Sequence, residues 1–80
     1  MAEKVVSSPY PGTFYRRPDP EAEPYVSEGD AVSVGDVIGL IEIMKTFHEV
    51  KSEQEDTAER FLVENEELIE VGQEILLLRD

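Results

Sequence analysis

One lysine in this sequence stands where it could be chemically useful. Lys45 lies in Glu42-Ile43-Met44-Lys45-Thr46-Phe47-His48-Glu49. An apolar strand pattern, Val37 to Ile43, leads in. A second, Thr46 to Val50, leads out, so only Met44-Lys45 remains to make the turn. Two-residue hairpin loops prefer Asn-Gly or Asp-Gly, because both positions need φ > 0. Met-Lys breaks that rule, and broken local rules concentrate at functional positions. A tight tip holds an ε-amine away from the protein body on a flexible stem. No general base, glycine-rich cradle or nucleophile array adjoins it in sequence. The chemistry that fits is acceptance of a covalent group from another enzyme, not catalysis by the lysine itself. An unmodified, solvated turn lysine is the plainer alternative.

The other residue types exclude much else. Zero cysteines remove disulfides, thiolate metal sites and cysteine nucleophiles together. One histidine, His48, leaves no room for a His-rich metal site. No catalytic residue and no metal ligand is therefore assigned. Seven Lys plus Arg against nineteen Asp plus Glu give a net charge of −12. Phosphate binding needs concentrated positive charge, so nucleic acid is not an expected partner. An anionic membrane surface is disfavoured for the same reason. The longest apolar stretch, Val37 to Ile41, is far short of the roughly 20 residues that span a bilayer. The sequence starts MAEKVV, without a basic n-region or an apolar h-region, so no secretory signal is expected. A soluble protein of the cytoplasm, or of an equivalent organelle compartment, is the default. Acidity of this kind serves solubility, and a high-salt cytoplasm is a weaker reading of it.

The elements that must hold Lys45 read as strands. A chain of eighty residues buries only about 60% of its unfolded surface and has one modest core, so residues 1–80 are expected to form a single domain. Residues 53–60 lack an apolar helical stripe. Short β-branched runs lie between turn residues: Val5-Val6, Ala31 to Val34, Val37 to Ile43, Phe47 to Val50, Phe61 to Val63, Leu68 to Val71 and Ile75 to Leu78. Close-spaced short strands of this kind predict an all-β sandwich or barrel.

An internal repeat says how they are arranged. A shift of 37 lays Gly29 to Ile41 on Glu66 to Leu78, with the Val-Gly turn and both flanking strands in phase. A shift of 44 lays Val6, Ser8 and Thr13 on Val50, Ser52 and Thr57. The difference, 44 − 37 = 7, places a seven-residue insert in the first half, within Arg16 to Ala22. Neither half can bury a sheet face alone. Together they predict a pseudo-symmetric two-sheet sandwich.

These residues resemble a known family, the biotinyl (biotin carboxyl carrier) domains, and within it the carrier subunits of bacterial-type acetyl-CoA carboxylases. Ser8-Pro9-Tyr10-Pro11-Gly12-Thr13-Phe14-Tyr15-Arg16 resembles the family's Ser-Pro-Met-x-Gly-Thr-Phe-Tyr-Arg. Pro18-Asp19-Pro20-Glu21-Ala22 resembles its Pro-x-Pro segment, and Val34-Gly35-Asp36 its Val-Gly turn. Glu42-Ile43-Met44-Lys45 resembles the Glu-Ala-Met-Lys attachment site. The match runs from residue 4 to 79. The resemblance implies a flattened barrel-sandwich hybrid of two four-stranded sheets related by a pseudo-twofold, with a thumb-like insert. It implies biotin joined covalently to Lys45, with Met44 and Glu42 flanking it for recognition. It also implies a non-catalytic carrier that is loaded by a biotin protein ligase. Such a carrier shuttles carboxybiotin from biotin carboxylase to carboxyltransferase, for malonyl-CoA formation in fatty-acid synthesis. The sequence departs from the family at Ile43 and Thr46, where Ala and Met are usual, and at His48, where Asn is usual. Asp56 and Glu66 stand at positions often occupied by glycine. Carriers of other biotin-dependent carboxylases or decarboxylases are the nearest alternative. A lipoyl-type carrier and an unmodified binding module follow. Arg16 and Arg17 either offset the acidic surface or mark a docking edge.

Overall fold

The protein is described by a computed structural model over residues 3–80. Among these residues there are eight strands and no helix: β1 (Glu3–Ser7), β2 (Gly12–Tyr15), β3 (Ala31–Val32), β4 (Val37–Ile43), β5 (Thr46–Lys51), β6 (Asp56–Phe61), β7 (Leu68–Ile69) and β8 (Glu74–Arg79). They form two four-stranded antiparallel sheets, ordered β1-β8-β6-β3 and β5-β4-β2-β7. The repeat explains the pair. The two shifts carry β1 onto β5, β2 onto β6, β3 onto β7 and β4 onto β8, which converts one sheet order into the other.

The turns repeat as faithfully as the strands. Ser27 N–H donates to Asp30 Oδ2, and Glu64 N–H donates to Glu67 Oε1. Likewise Ser33 N–H donates to Asp36 Oδ2 and Glu70 N–H to Gln73 Oε1. The buried hydroxyls of Ser8 and Ser52 close equivalent turns, each donating to the carbonyl two residues on. Those serines satisfy themselves locally, so their burial carries no polar cost.

The core is a list of equivalent pairs: Val6 with Val50, Val26 with Val63, Val32 with Ile69, Ile38 with Ile75, and Ile41 with Leu78. A bulge falls at Ile38 in β4 and again at Ile75 in β8, where the ladder register shifts. Each bulge turns two consecutive residues inward, which explains the unbroken apolar runs of these two strands. Two pairs are unequal in size. Phe14 is equivalent to Ala58, and Gly39 to Leu76. A Cβ on Gly39 would collide with the Phe14 ring and lie 2.9 Å from the Tyr15 carbonyl oxygen. One half therefore fills its centre with Phe and Gly, the other with Ala and Leu.

Four strands differ from expectation. Gly12–Tyr15 forms β2 although it lacks a β-branched run; Phe14, fully buried, anchors it. β6 begins at Asp56, earlier than the run expected at Phe61 to Val63. Ala58 is its only fully buried residue, Phe61 packs on the core at its end, and a bulge between Ala58 and Arg60 breaks the alternation, so the polar stretch shows no strand period. β3 and β7 stop after two residues. Ser33 and Glu70 are already held in the turns described above, and Val34 and Val71 are exposed.

Candidate functional site

The β4–β5 hairpin is built around Ile43 opposite Thr46 and Glu42 opposite Phe47. Met44 has φ 50° and Lys45 has φ 68°. Both turn residues are left-handed, as a two-residue hairpin demands, and neither is glycine or asparagine. Each such residue costs roughly 1–2 kcal/mol. Met44 is 92% exposed, so it is not core filler, and Lys45 is exposed beside it. The hairpin thus holds an amine on a constrained tip.

Glu42, three residues before Lys45, points to the outer face of its sheet. Tyr15 lies on the same face in neighbouring β2, one diagonal step away in the ladder. Its hydroxyl donates to Glu42 Oε1 at 2.9 Å. That hydrogen bond, with burial and the Glu42 charge behind it, raises the Tyr15 phenol above its usual 10.0. The Tyr15 ring also sits 5.8 Å from the ring of Phe47. On the inner side of β5, His48 packs on Tyr10 with ring centroids 4.8 Å apart. The histidine therefore closes the sandwich edge behind the tip.

The insert folds back on itself. Tyr25 N–H donates to the Arg16 carbonyl at 2.9 Å, closing a loop, and Ala22 N–H donates to the Asp19 carbonyl within it. The two arginines divide their roles. Arg16 lies over Phe61, 4.2 Å from the ring centroid, and seals the core. Arg17 helps line a cleft of about 170 Å³ with Tyr15, Pro18, Asp19, Pro20, Phe47, Asn65 and Glu66. Its Nε is buried without a hydrogen-bond partner. A larger cleft, about 350 Å³, is lined by residues of β1 and by Lys51, Glu53 and Gln54, none of them from the tip.

The three residues singled out in sequence, Glu42, Met44 and Lys45, thus occupy one hairpin. Tyr15 and Phe47 carry no site signal in the sequence, and Arg17 is there one of two arginines that either offset the acidic surface or mark a docking edge. Alternation with Phe14 puts Tyr15 on the outer face, but only the β2–β4 register brings it to Glu42. Among the described residues, no group of three or more His, Cys, Asp or Glu side chains is arranged to hold a metal ion.

Two four-stranded sheets related by a pseudo-twofold define a class of fold, the barrel-sandwich domains, and this one presents Lys45 on a two-residue hairpin tip. The comparisons agree. The sequence matches the biotin/lipoyl attachment family, described as "Biotin-requiring enzyme", over residues 4–78, and the chain belongs to that family. It is 31% identical over 78 residues to the biotin carboxyl carrier protein of acetyl-CoA carboxylase from Haemophilus influenzae, covering 98% of this chain and 50% of that protein. The Pseudomonas aeruginosa protein of the same name is 36% identical over 74 residues, covering 92% of this chain and 47% of the relative. The chain thus spans about half the length of the curated relatives it matches. In three dimensions it is similar to part of the urea carboxylase of Kluyveromyces lactis, with TM-score 0.78 and 25% identity, covering 99% of this chain and 6% of that one.

Proposed function

We propose that the chain is a biotin carrier domain of an acetyl-CoA carboxylase, with residues 1–80 forming one biotinyl domain. The observation that carries this reading is the exposed Lys45 on a left-handed Met-Lys tip, in a chain of the biotin-requiring family. A biotin protein ligase joins biotin to Lys45 Nζ through an amide, which removes the lysine charge. Met44 and Glu42 flank the lysine for that ligase. When bound, biotin supplies a ureido ring that takes up a carboxyl group at one enzyme and releases it at another. The residues fit such a group. The tip offers a free amine, and the adjoining cleft offers aromatic and proline walls with an unpartnered Arg17 Nε.

The protein's own part is presentation. A rigid sandwich fixes the base of the arm, and tethering raises the local concentration of the carried group at two distant sites without tight binding to either. The partners in this reading are a biotin carboxylase and a carboxyltransferase, in malonyl-CoA formation for fatty-acid synthesis. The setting is the cytoplasm or an equivalent organelle. Among the described residues no helix is long and apolar enough to cross a membrane.

Intact mass after co-expression with biotin protein ligase and biotin tests the assignment. The expected result is a gain of one biotinyl group, absent in Lys45→Arg. A gain only with a lipoyl ligase and lipoate would move the protein to the acyl-transfer carriers. No gain with either would withdraw the carrier reading.

A further inference from the structure

Three adjacent strands place a phenol, a carboxylate and an exposed aromatic ring on one face behind the Lys45 tip. Tyr15 comes from β2, Glu42 from β4 and Phe47 from β5. Glu42 and Phe47 are direct cross-strand partners, and Tyr15 lies diagonal to Glu42. The Tyr15 hydroxyl takes one oxygen of Glu42 at 2.9 Å, and the Tyr15 ring lies 5.8 Å from that of Phe47. A glutamate at a half-exposed site ordinarily samples several rotamers. Here its carboxylate is pinned from one side, and Glu42 Oε2 accepts no hydrogen bond among the described residues. Phe47 is 54% exposed and Met44 is 92% exposed, although both are large apolar side chains. An oriented carboxylate paired with an exposed aromatic ring, with an exposed thioether two residues on at the tip, is a recognition patch: the ring and the thioether supply desolvated area, and the carboxylate supplies direction.

We propose that Tyr15 is a positioning residue for the modification of Lys45. It holds the Glu42 carboxylate in one orientation, so that the ligase meets Glu42, Phe47 and Met44 as a preformed surface. The free oxygen of Glu42 faces a donor on the ligase, while Phe47 and Met44 enter apolar contacts. Preorganisation lowers the cost of docking, so it acts on binding more than on the chemical step. This deepens the carrier reading and rests on it.

The test is steady-state biotinylation of the full chain by a biotin protein ligase, comparing wild type, Tyr15→Phe, Glu42→Gln and the double variant. Tyr15→Phe is expected to raise the KM for the carrier by about five- to tenfold, with kcat within about twofold. Glu42→Gln should raise KM at least as much, and the double variant no further than Glu42→Gln alone, because the tyrosine then has no carboxylate to hold. The Tyr15 phenol, followed by NMR, should titrate lower in Glu42→Gln than in wild type. A wild-type KM in Tyr15→Phe overturns the proposal while leaving the carrier reading intact. So does strict additivity in the double variant, or a Tyr15 titration that Glu42→Gln does not move. A wild-type chain that accepts no biotin overturns both.

Discussion

Among the described residues, three other than glycine sit in left-handed backbone: Met44, Lys45 and Glu66. Glycine relieves that strain, and asparagine tolerates it better than most residues. Glu66 sits where its equivalent in the first half is Gly29, which also has positive φ. Glu66→Gly is expected to stabilise the fold by about 1 kcal/mol, a rise in Tm of roughly 4–8 °C, measured by thermal unfolding. Met44→Asn should raise Tm in the same way but reduce biotinylation, since it removes the exposed thioether. A variant more stable and equally well biotinylated would mean that Met44 is not read. The conflict between residue and turn at Met44-Lys45 is legible in the sequence. The Tyr15–Glu42 bond is not, because it depends on how β2 and β4 align.

The phenols add a pH dependence at the same scale. Tyr15 is held above its usual 10.0, first by its hydrogen bond to Glu42. Tyr25 is raised chiefly by burial, then by the Glu49 charge. Lys4 is raised above 10.5 mainly by its hydrogen bond to Asp56, 2.9 Å away. For all three, the folded state keeps its proton to higher pH than the unfolded chain. Their stabilisation is complete below pH 10 and is lost as pH rises through the folded values. Urea midpoints should therefore fall between pH 9 and pH 11, and fall less in Tyr15→Phe, whose unfolded and folded states no longer differ at that group.

Individual strands announce themselves unevenly. β4 and β8 are legible because bulges at Ile38 and Ile75 keep long apolar runs facing the core. β6 is hidden, since Ala58 is its only buried residue. β2 depends on one ring, Phe14, and on Gly12. A Cβ at Gly12 would press into the Glu42 carbonyl oxygen and come within 2.8 Å of Ile41 Cγ2. Gly12→Ala should therefore cost about 1–3 kcal/mol and part β2 from β4. Because Tyr15 rides on β2, the same change should weaken ligation beyond what the stability loss explains. Hydrogen exchange of the β2 and β4 amides checks the first expectation, and ligase KM the second.

Across the whole molecule, the two halves reach the same packing with different side chains. Phe14 and Gly39 in one half do what Ala58 and Leu76 do in the other. Phe14→Ala alone should cost about 3–5 kcal/mol, a large part of the stability expected of a domain this size. Gly39→Leu alone should also destabilise, by overpacking against Phe14. The double variant, which copies the second half into the first, should be more stable than the sum of the two single losses predicts. Additive losses in urea unfolding would show that the exchange is coincidence. The duplication is legible because both shifts keep hydrophobic phase; the size exchange is not, because it lies in contacts between strands. The net charge of −12 also acts at this scale. On the proposed carrier reading, that charge predicts transient docking to basic faces of the carboxylase components that weakens as salt rises from about 50 to about 500 mM, and carboxylation kinetics insensitive to salt would contradict it.

The pseudo-twofold also relates the lysine hairpin to the place where β8 and β1 run side by side, with Arg79 opposite Glu3. Where one half has a continuous turn, the other has two strand ends already in register. A short Asn-Gly link between those strands would reproduce the missing hairpin, and the exposed turn at Glu53 could then serve as the new opening. Such a circular permutant should fold to the same sandwich. Its two new ends would lie at a different turn, leaving Lys45 on an uninterrupted tip.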